Sequence, residues 1–150
     1  ILASYFKSMD VDYVVTVETK GIPLAYEVAK SLGIELVIIR RENKVTEGPT
    51  VSINYLSGTS GRIQQMSLAK KSMKPSSRCV FIDDFLRGGG TAQGITDLLK
   101  EFDSELVGTG VLVDNVGVAN KRVTDYVSII DVEHISEDGK IKVTPSSLIK

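Results

Sequence analysis

Residues 79–94 read Cys-Val-Phe-Ile-Asp-Asp-Phe-Leu-Arg-Gly-Gly-Gly-Thr-Ala-Gln-Gly. The apolar run Val80–Ile82 suits a central parallel strand, covered on both faces and therefore without polar alternation. Asp83 and Asp84 follow at the expected end of that strand, where ligands gather in open α/β sheets. Gly88, Gly89 and Gly90 let a backbone approach a ligand closely and turn its N–H groups inward. Thr91 then stands where it is expected to cap a helix, whose N-terminus attracts anions.

The chemistry this order suits is a phosphorylated sugar. Two ionised carboxylates only accept hydrogen bonds, so they match the two hydroxyl donors of a ribose diol. Backbone N–H groups of residues 88–91, with the Thr91 hydroxyl, match a phosphate. A Walker A loop would need Gly-x-x-x-x-Gly-Lys-Ser/Thr, and a Rossmann turn has no paired acids before its glycines. The bland alternative is an acidic strand end followed by an ordinary turn. Three glycines opening an amphipathic helix speak against it.

Working outward, Val11–Val17 is a β-rich run. Pro23 sits where a helix's first turn tolerates it, and Leu24, Ala25, Val28, Ala29 and Leu32 form an apolar stripe closed by Gly33. Glu35–Ile39 is a second apolar strand, so the order is a βαβ unit. Arg40–Pro49 reads as an exposed charged loop. Thr50–Leu56 and Arg62–Leu68 read as an antiparallel excursion around the turn Gly58–Gly61. The basic connector Lys70–Ser77 puts Lys70, Lys71 and Lys74 with Arg78 in one cluster, read as solvated, with a polyanion contact as the alternative. Helix Thr91–Phe102 carries Ile95, Leu98, Leu99 and Phe102 at helical spacing. Leu106–Val113, Val127–Ile135 and Lys140–Val143 are expected strands, the last two joined by a turn at Asp138–Gly139. Between the first strand and its helix, Glu18-Thr19-Lys20-Gly21 offers a cation and a permissive backbone; taken alone it is an ordinary strand–helix turn.

Size and charge narrow the class. The 150 residues suit one domain, with 42% hydrophobic and 25% charged residues. A formal net charge of −1 and a pI near 5.9 give no global attraction to nucleic acid or to an anionic membrane. No apolar run approaches the roughly 20 residues of a membrane span. The single cysteine, Cys79, makes no internal disulfide and is expected to pack as a small hydrophobe, which fits a cytoplasmic protein. His134 is the only histidine, has no acid or cysteine at metal-ligand spacing, and is read as structural. The chain opens on Ile1 in what reads as the end of a helix, so residues are expected to precede it.

The segment Val80–Thr91 resembles the phosphoribosyl pyrophosphate (PRPP) motif of type I phosphoribosyltransferases: an apolar strand, two acids, and a turn ending in Gly-Gly-Thr. The resemblance implies that family's α/β fold, a twisted, mostly parallel sheet flanked by helices with an antiparallel β excursion. It implies that Asp83 and Asp84 hold the ribose hydroxyls, and that Arg87, Gly88, Gly89, Gly90 and Thr91 hold the 5-phosphate. Residues 18–21 resemble the family's pyrophosphate loop, which gives that role to Thr19, Lys20 and Gly21. Arg40, Arg41, Lys44 and Tyr55 correspond to the family's flexible loop, with simple solvation as the alternative for the basic residues.

The adenine-type enzymes, which the chain resembles from Val11 to about Val113, typically carry a glutamate just after the tyrosine of the excursion. Here Tyr55 is followed by Leu-Ser-Gly-Thr-Ser-Gly, and residues 127–150 contain no Phe, Tyr or Trp for a purine to stack on. A wider resemblance is to the effector domain of the purine operon regulators of Gram-positive bacteria. It rests on Thr19–Tyr26, Asn43–Gly48, Val51–Tyr55, Gln65–Lys70, Asp83–Phe85 and Gly89–Thr91. It implies a PRPP sensor with no catalytic residue, a preceding winged-helix domain for operator DNA, and a homodimer. It needs no cofactor; PRPP is the effector, with Mg2+ as an optional companion, and guanosine tetraphosphate or purine nucleotides are candidate competitors. An active adenine- or xanthine-type transferase is the alternative, and a non-transcriptional nucleotide-binding module a third.

Overall fold

The structure, a computed structural model, describes residues 1–42, 48–57, 60–135 and 139–149. Among the described residues, eight strands form two sheets. Five strands of the main sheet are parallel, in the order β2 (Glu35–Ile39), β1 (Tyr13–Val17), β5 (Arg78–Leu86), β6 (Glu105–Asn115), β7 (Val127–Ile135); β8 (Ile141–Pro145) closes the edge antiparallel to β7. The hairpin β3 (Thr50–Leu56) and β4 (Ile63–Ala69) forms the second sheet. The Asp138–Gly139 turn expected between β7 and β8 falls partly outside the described residues.

The central strands lack alternation because both their faces are covered. On one face Val15, Val17, Phe81 and Cys79 pack against helix α3 (Gly90–Lys100), through Ile95, Leu98 and Leu99, and against Met66 and Leu68 of the hairpin. On the other, Val14, Val80 and Ile82 pack against helices α1 (Leu2–Phe6) and α2 (Ile22–Leu32). The short α1 lies flat on β6 because Gly108 and Gly110 have no side chains. A Cβ at either would stand 2.8 Å from the Phe6 ring. Cys79 is fully buried, and burial, reinforced by Asp12, pushes its thiol up to about 12, so it is an inert core residue.

Two sequence expectations are corrected here. Strand β5 does not end before the acids; it runs on to Leu86 because β6 keeps pairing with it as far as Leu86↔Asp114. Its pairing with β1 stops at Val15↔Phe81. Asp83 and Asp84 therefore stand on a ledge of β5 past the stretch that pairs with β1. Thr91 does not cap α3 either. The cap is Gly89 in the left-handed conformation (φ 73°), and Thr91 is the second residue of the helix. A Cβ at Gly89 would also stand 2.7 Å from Cγ1 of Val123, so this position admits only glycine.

Candidate functional site

The ledge opens a cleft of about 580 Å³. Asp83, Asp84 and Phe85 of β5 form its floor, Glu18, Thr19 and Lys20 one wall, and Arg41, Gln64 and Ser57 another. Thr91 closes the end, where a small adjoining hollow is lined by Asp83, Phe85 and the turn 87–90. Three separate stretches of chain thus meet because β1, β5 and the β2 end all finish on the same side of a parallel sheet.

Gly21 joins the two principal motifs. It caps α2 in an ordinary right-handed conformation (φ −70°), so its lack of a side chain serves space and not torsion. A Cβ there would lie 2.6 Å from Asp83 Oδ1 and 2.7 Å from Thr16 Oγ1. Thr16 is fully buried, with no hydrogen-bond partner for its hydroxyl among the described residues. Asp83 is pushed up to about 7, first by burial and further by the Asp84 side chain; the Asp84 N–H it accepts at 2.9 Å and the nearby Arg41 charge oppose this only in part. It is a carboxyl poised to gain from cations or hydroxyl donors brought by a ligand.

Glu18 ties the first loop to the end of β2. Its carboxylate accepts from the Arg40 guanidinium at 3.1 Å and from the Arg41 backbone N–H at 2.7 Å, and its carbonyl accepts from Arg41 Nε at 3.0 Å. Arg41 also donates to Gln64 Oε1 at 3.2 Å, and Tyr55 OH donates to the same oxygen at 2.9 Å. The peptide Glu18–Thr19 is cis.

Asp83, Asp84, Thr19, Lys20, Arg41 and Thr91, all expected from sequence, share the cleft wall. Arg87 and Gly88–Gly90 line the adjoining hollow. Arg40 and Tyr55 are not parts of a flexible loop. The Arg40 backbone is paired with Ser67 (2.9 and 2.8 Å) in a bridge that extends β2 toward β4. Tyr55 is buried, with its Cβ and Cγ 2.8 and 2.9 Å from where a Cβ at Gly94 of α3 would stand. Lys44 lies outside the described residues. Gln64 and Ser57 escaped the sequence reading. Gln64 was within reach of it, since a hairpin register around the turn pairs Tyr55 with Gln64.

A second hollow of about 600 Å³, lined by Tyr5, Asp114, Tyr126, Ser128, Asp131 and Ser146 among others, has no Lys or Arg in its lining. It does not suit a phosphorylated ligand. Among the described residues no three His, Cys, Asp or Glu side chains converge on a metal position.

An acidic ledge, a glycine turn opening a helix and a cationic loop at the carboxyl ends of a parallel sheet define a phosphoribosyltransferase fold. Solved structures agree: an adenine phosphoribosyltransferase from Thermoanaerobacter pseudethanolicus superposes with a TM-score of 0.76 at 22% identity, covering 87% of this chain and 76% of that one. The phosphoribosyl transferase domain family matches residues 1–144, and the chain belongs to that family. Among curated relatives, the purine biosynthesis transcriptional repressor PurR of Bacillus subtilis strain 168 is 52% identical over 93% of this chain and 49% of its own length. The purine biosynthesis transcriptional activator PurR of Lactococcus lactis subsp. lactis is 41% identical over 90% of this chain and 50% of its own. The chain spans about half the length of these relatives.

Proposed function

We propose that this domain binds PRPP as the effector of a regulator of purine biosynthesis genes and does not turn it over. The observation that carries the reading is the single cleft in which two adjacent carboxylates face Lys20 and Arg41 and end at the glycine turn before α3. Asp83 and Asp84 accept the ribose hydroxyls, the turn 87–90 with Thr91 receives the 5-phosphate, and Thr19, Lys20 and Gly21 with Arg41 receive the pyrophosphate. A Mg2+ ion fits as a companion of the pyrophosphate, because the acids are hard oxygen donors and the ligand supplies the rest. Guanosine tetraphosphate and purine nucleotides carry the same ribose and phosphate groups and compete for the cleft.

Two features favour a sensor over a transferase. No acid follows Tyr55 before Arg62, and the relatives of 41–52% identity are named as transcriptional regulators. DNA contact belongs to a separate winged-helix domain of the whole protein, consistent with the net charge of −1 here. The regulator is a cytoplasmic homodimer in this reading. PRPP acts by binding the DNA-competent and DNA-incompetent states with different affinity.

The test is calorimetry with PRPP and Mg2+. The double variant Asp83→Ala/Asp84→Ala loses affinity by at least about 100-fold, because each charge-assisted hydrogen bond contributes about 1.5–3 kcal/mol. Unchanged affinity refutes the site. Steady turnover of PRPP with adenine, guanine, hypoxanthine or xanthine would instead establish the transferase alternative.

A further inference from the structure

The glycine turn raises a physical problem. Three consecutive glycines are conformationally free, and a ligand that had to order them would lose affinity in doing so. Something else must hold the turn. The segment between β6 and β7 lies against it: the Arg122 N–H donates to the Gly88 carbonyl at 3.0 Å, and Val123 fills the space beside Gly89. A peptide's C=O and N–H point in opposite directions. Drawing the Gly88 carbonyl toward Arg122 therefore turns the Gly89 N–H away from residue 122.

Immediately before Arg122, Lys121 turns inward. Its ammonium donates to Asp114 Oδ1 and, at 2.9 Å, to Tyr126 OH, which in turn donates to Asp114 Oδ2 at 2.8 Å. The ammonium also stands 5.0 Å from the centre of the Tyr126 ring. The Lys121 and Asp114 side chains are only 10% and 3% exposed. Burial pulls the ammonium down, but its hydrogen bonds to Asp114 and Tyr126 and the Asp114 charge outweigh that and hold it above its ordinary range. Asp114 is the register partner of Leu86, the last residue of β5 before the turn begins. The cluster thus fastens the segment at the level in the sheet where the turn leaves it.

We propose that Lys121, Asp114 and Tyr126 form a brace that clamps the segment 121–123 against Gly88 and Gly89 and so keeps the turn in its anion-receiving shape. They are positioning residues for the ligand's 5-phosphate, and this assignment rests on the phosphate role proposed for the turn. None of the three lines the cleft, so their effect reaches the ligand only through the turn. A buried ion pair serving stability alone would weaken both ligands equally and loosen α3 as well, and the experiment separates the two.

Lys121→Met and the milder Tyr126→Phe are compared with the unaltered chain by two measurements. Calorimetry uses ribose 5-phosphate and, separately, inorganic pyrophosphate. Amide hydrogen exchange is followed without ligand at residues 88–91 and at Leu98 and Leu99 inside α3. The brace predicts at least tenfold faster exchange at the turn in Lys121→Met, with Leu98 and Leu99 unchanged. It predicts at least tenfold weaker ribose 5-phosphate binding with pyrophosphate binding intact, and smaller changes of the same pattern in Tyr126→Phe. Equal weakening of both ligands, or faster exchange spread through α3, marks general loosening and overturns the brace. So does unaltered exchange at the turn. If the unaltered chain binds neither ligand, the PRPP reading fails and exchange alone decides the brace. If Lys121→Met does not fold, Tyr126→Phe decides it.

Discussion

Gly21→Ala tests how the turn before α2 is joined to the Asp83–Asp84 ledge. The added methyl would begin 2.6 Å from Asp83 Oδ1, 2.7 Å from Thr16 Oγ1 and 3.2 Å from Asp83 Cα, against the 3.4 Å of ordinary contact. The backbone at Gly21 already has φ −70°, which alanine adopts freely, so no torsional strain enters. The whole effect is steric. The carboxylate can swing, but Thr16 is fully buried and the Asp83 Cα belongs to a central strand, so the relief must come mostly from Asp83 and from the α2 end. Overpacking of this kind costs about 1–3 kcal/mol. For a chain of this size that is a melting-temperature loss of several degrees. Affinity for PRPP should fall at least tenfold, about 1.4 kcal/mol, because the displaced carboxylate no longer meets the ribose hydroxyls. Gly33→Ala is the matched control. Its φ of 71° strains alanine by about 1 kcal/mol, nothing lies within 4 Å of the new methyl, and PRPP affinity should not change. Thermal unfolding and calorimetry on both variants check the pair. Unaltered PRPP binding in Gly21→Ala would show that Asp83 is not held where the ligand needs it.

Asp83 is raised to about 7 in the folded state against 3.8 as its ordinary value, so its contribution to stability is fully present below about pH 4 and is lost as pH rises through about 7. Asp83→Asn should therefore flatten that part of the stability profile and melt higher than the unaltered chain at pH 8, measured by thermal unfolding across pH; parallel profiles would contradict the burial argument. PRPP affinity should rise as pH passes through about 7, where the carboxylate of the folded protein ionises. Phe6→Ala empties the contact between α1 and the glycines of β6, and should cost about 3–5 kcal/mol in chemical denaturation, since Phe6 is 1% exposed. A cost below about 1 kcal/mol would mean that α1 is not docked on the sheet.

The strand–acid–glycine–helix order was legible at once, because each part is a local rule: an unbroken apolar run for a doubly covered strand, glycines for a tight approach, an apolar stripe for α3. The βαβ start and the β3–β4 hairpin were legible for the same reason. What was misread sits at boundaries. The run Val80–Ile82 ends its apolar pattern at Asp83, yet β5 continues to Leu86 because β6 goes on supplying backbone partners. Thr91 matched a capping preference, but the left-handed Gly89 beside Val123 starts the helix earlier. The charged neighbours of Arg40 suggest a loop, yet Ser67, far along the chain, pairs with its backbone; Tyr55 belongs to the strand expected over Thr50–Leu56, and only the resemblance placed it with the flexible loop.

The class of fold, and residue types at 18–21 and 83–91 that would match a ribose phosphate, can be read from the chain alone. Periodicity, glycine placement and charge act over a few residues and can be read one stretch at a time. That Gly21 must be bare for Asp83 to sit where it does follows only from how the strands pack. The same holds for Glu18 gathering both arginines, and for Lys121, Asp114 and Tyr126 closing behind the glycine turn. Those relations depend on which strands lie side by side and in what register. Such contacts are set by the packing of the whole sheet and leave no pattern in any one segment.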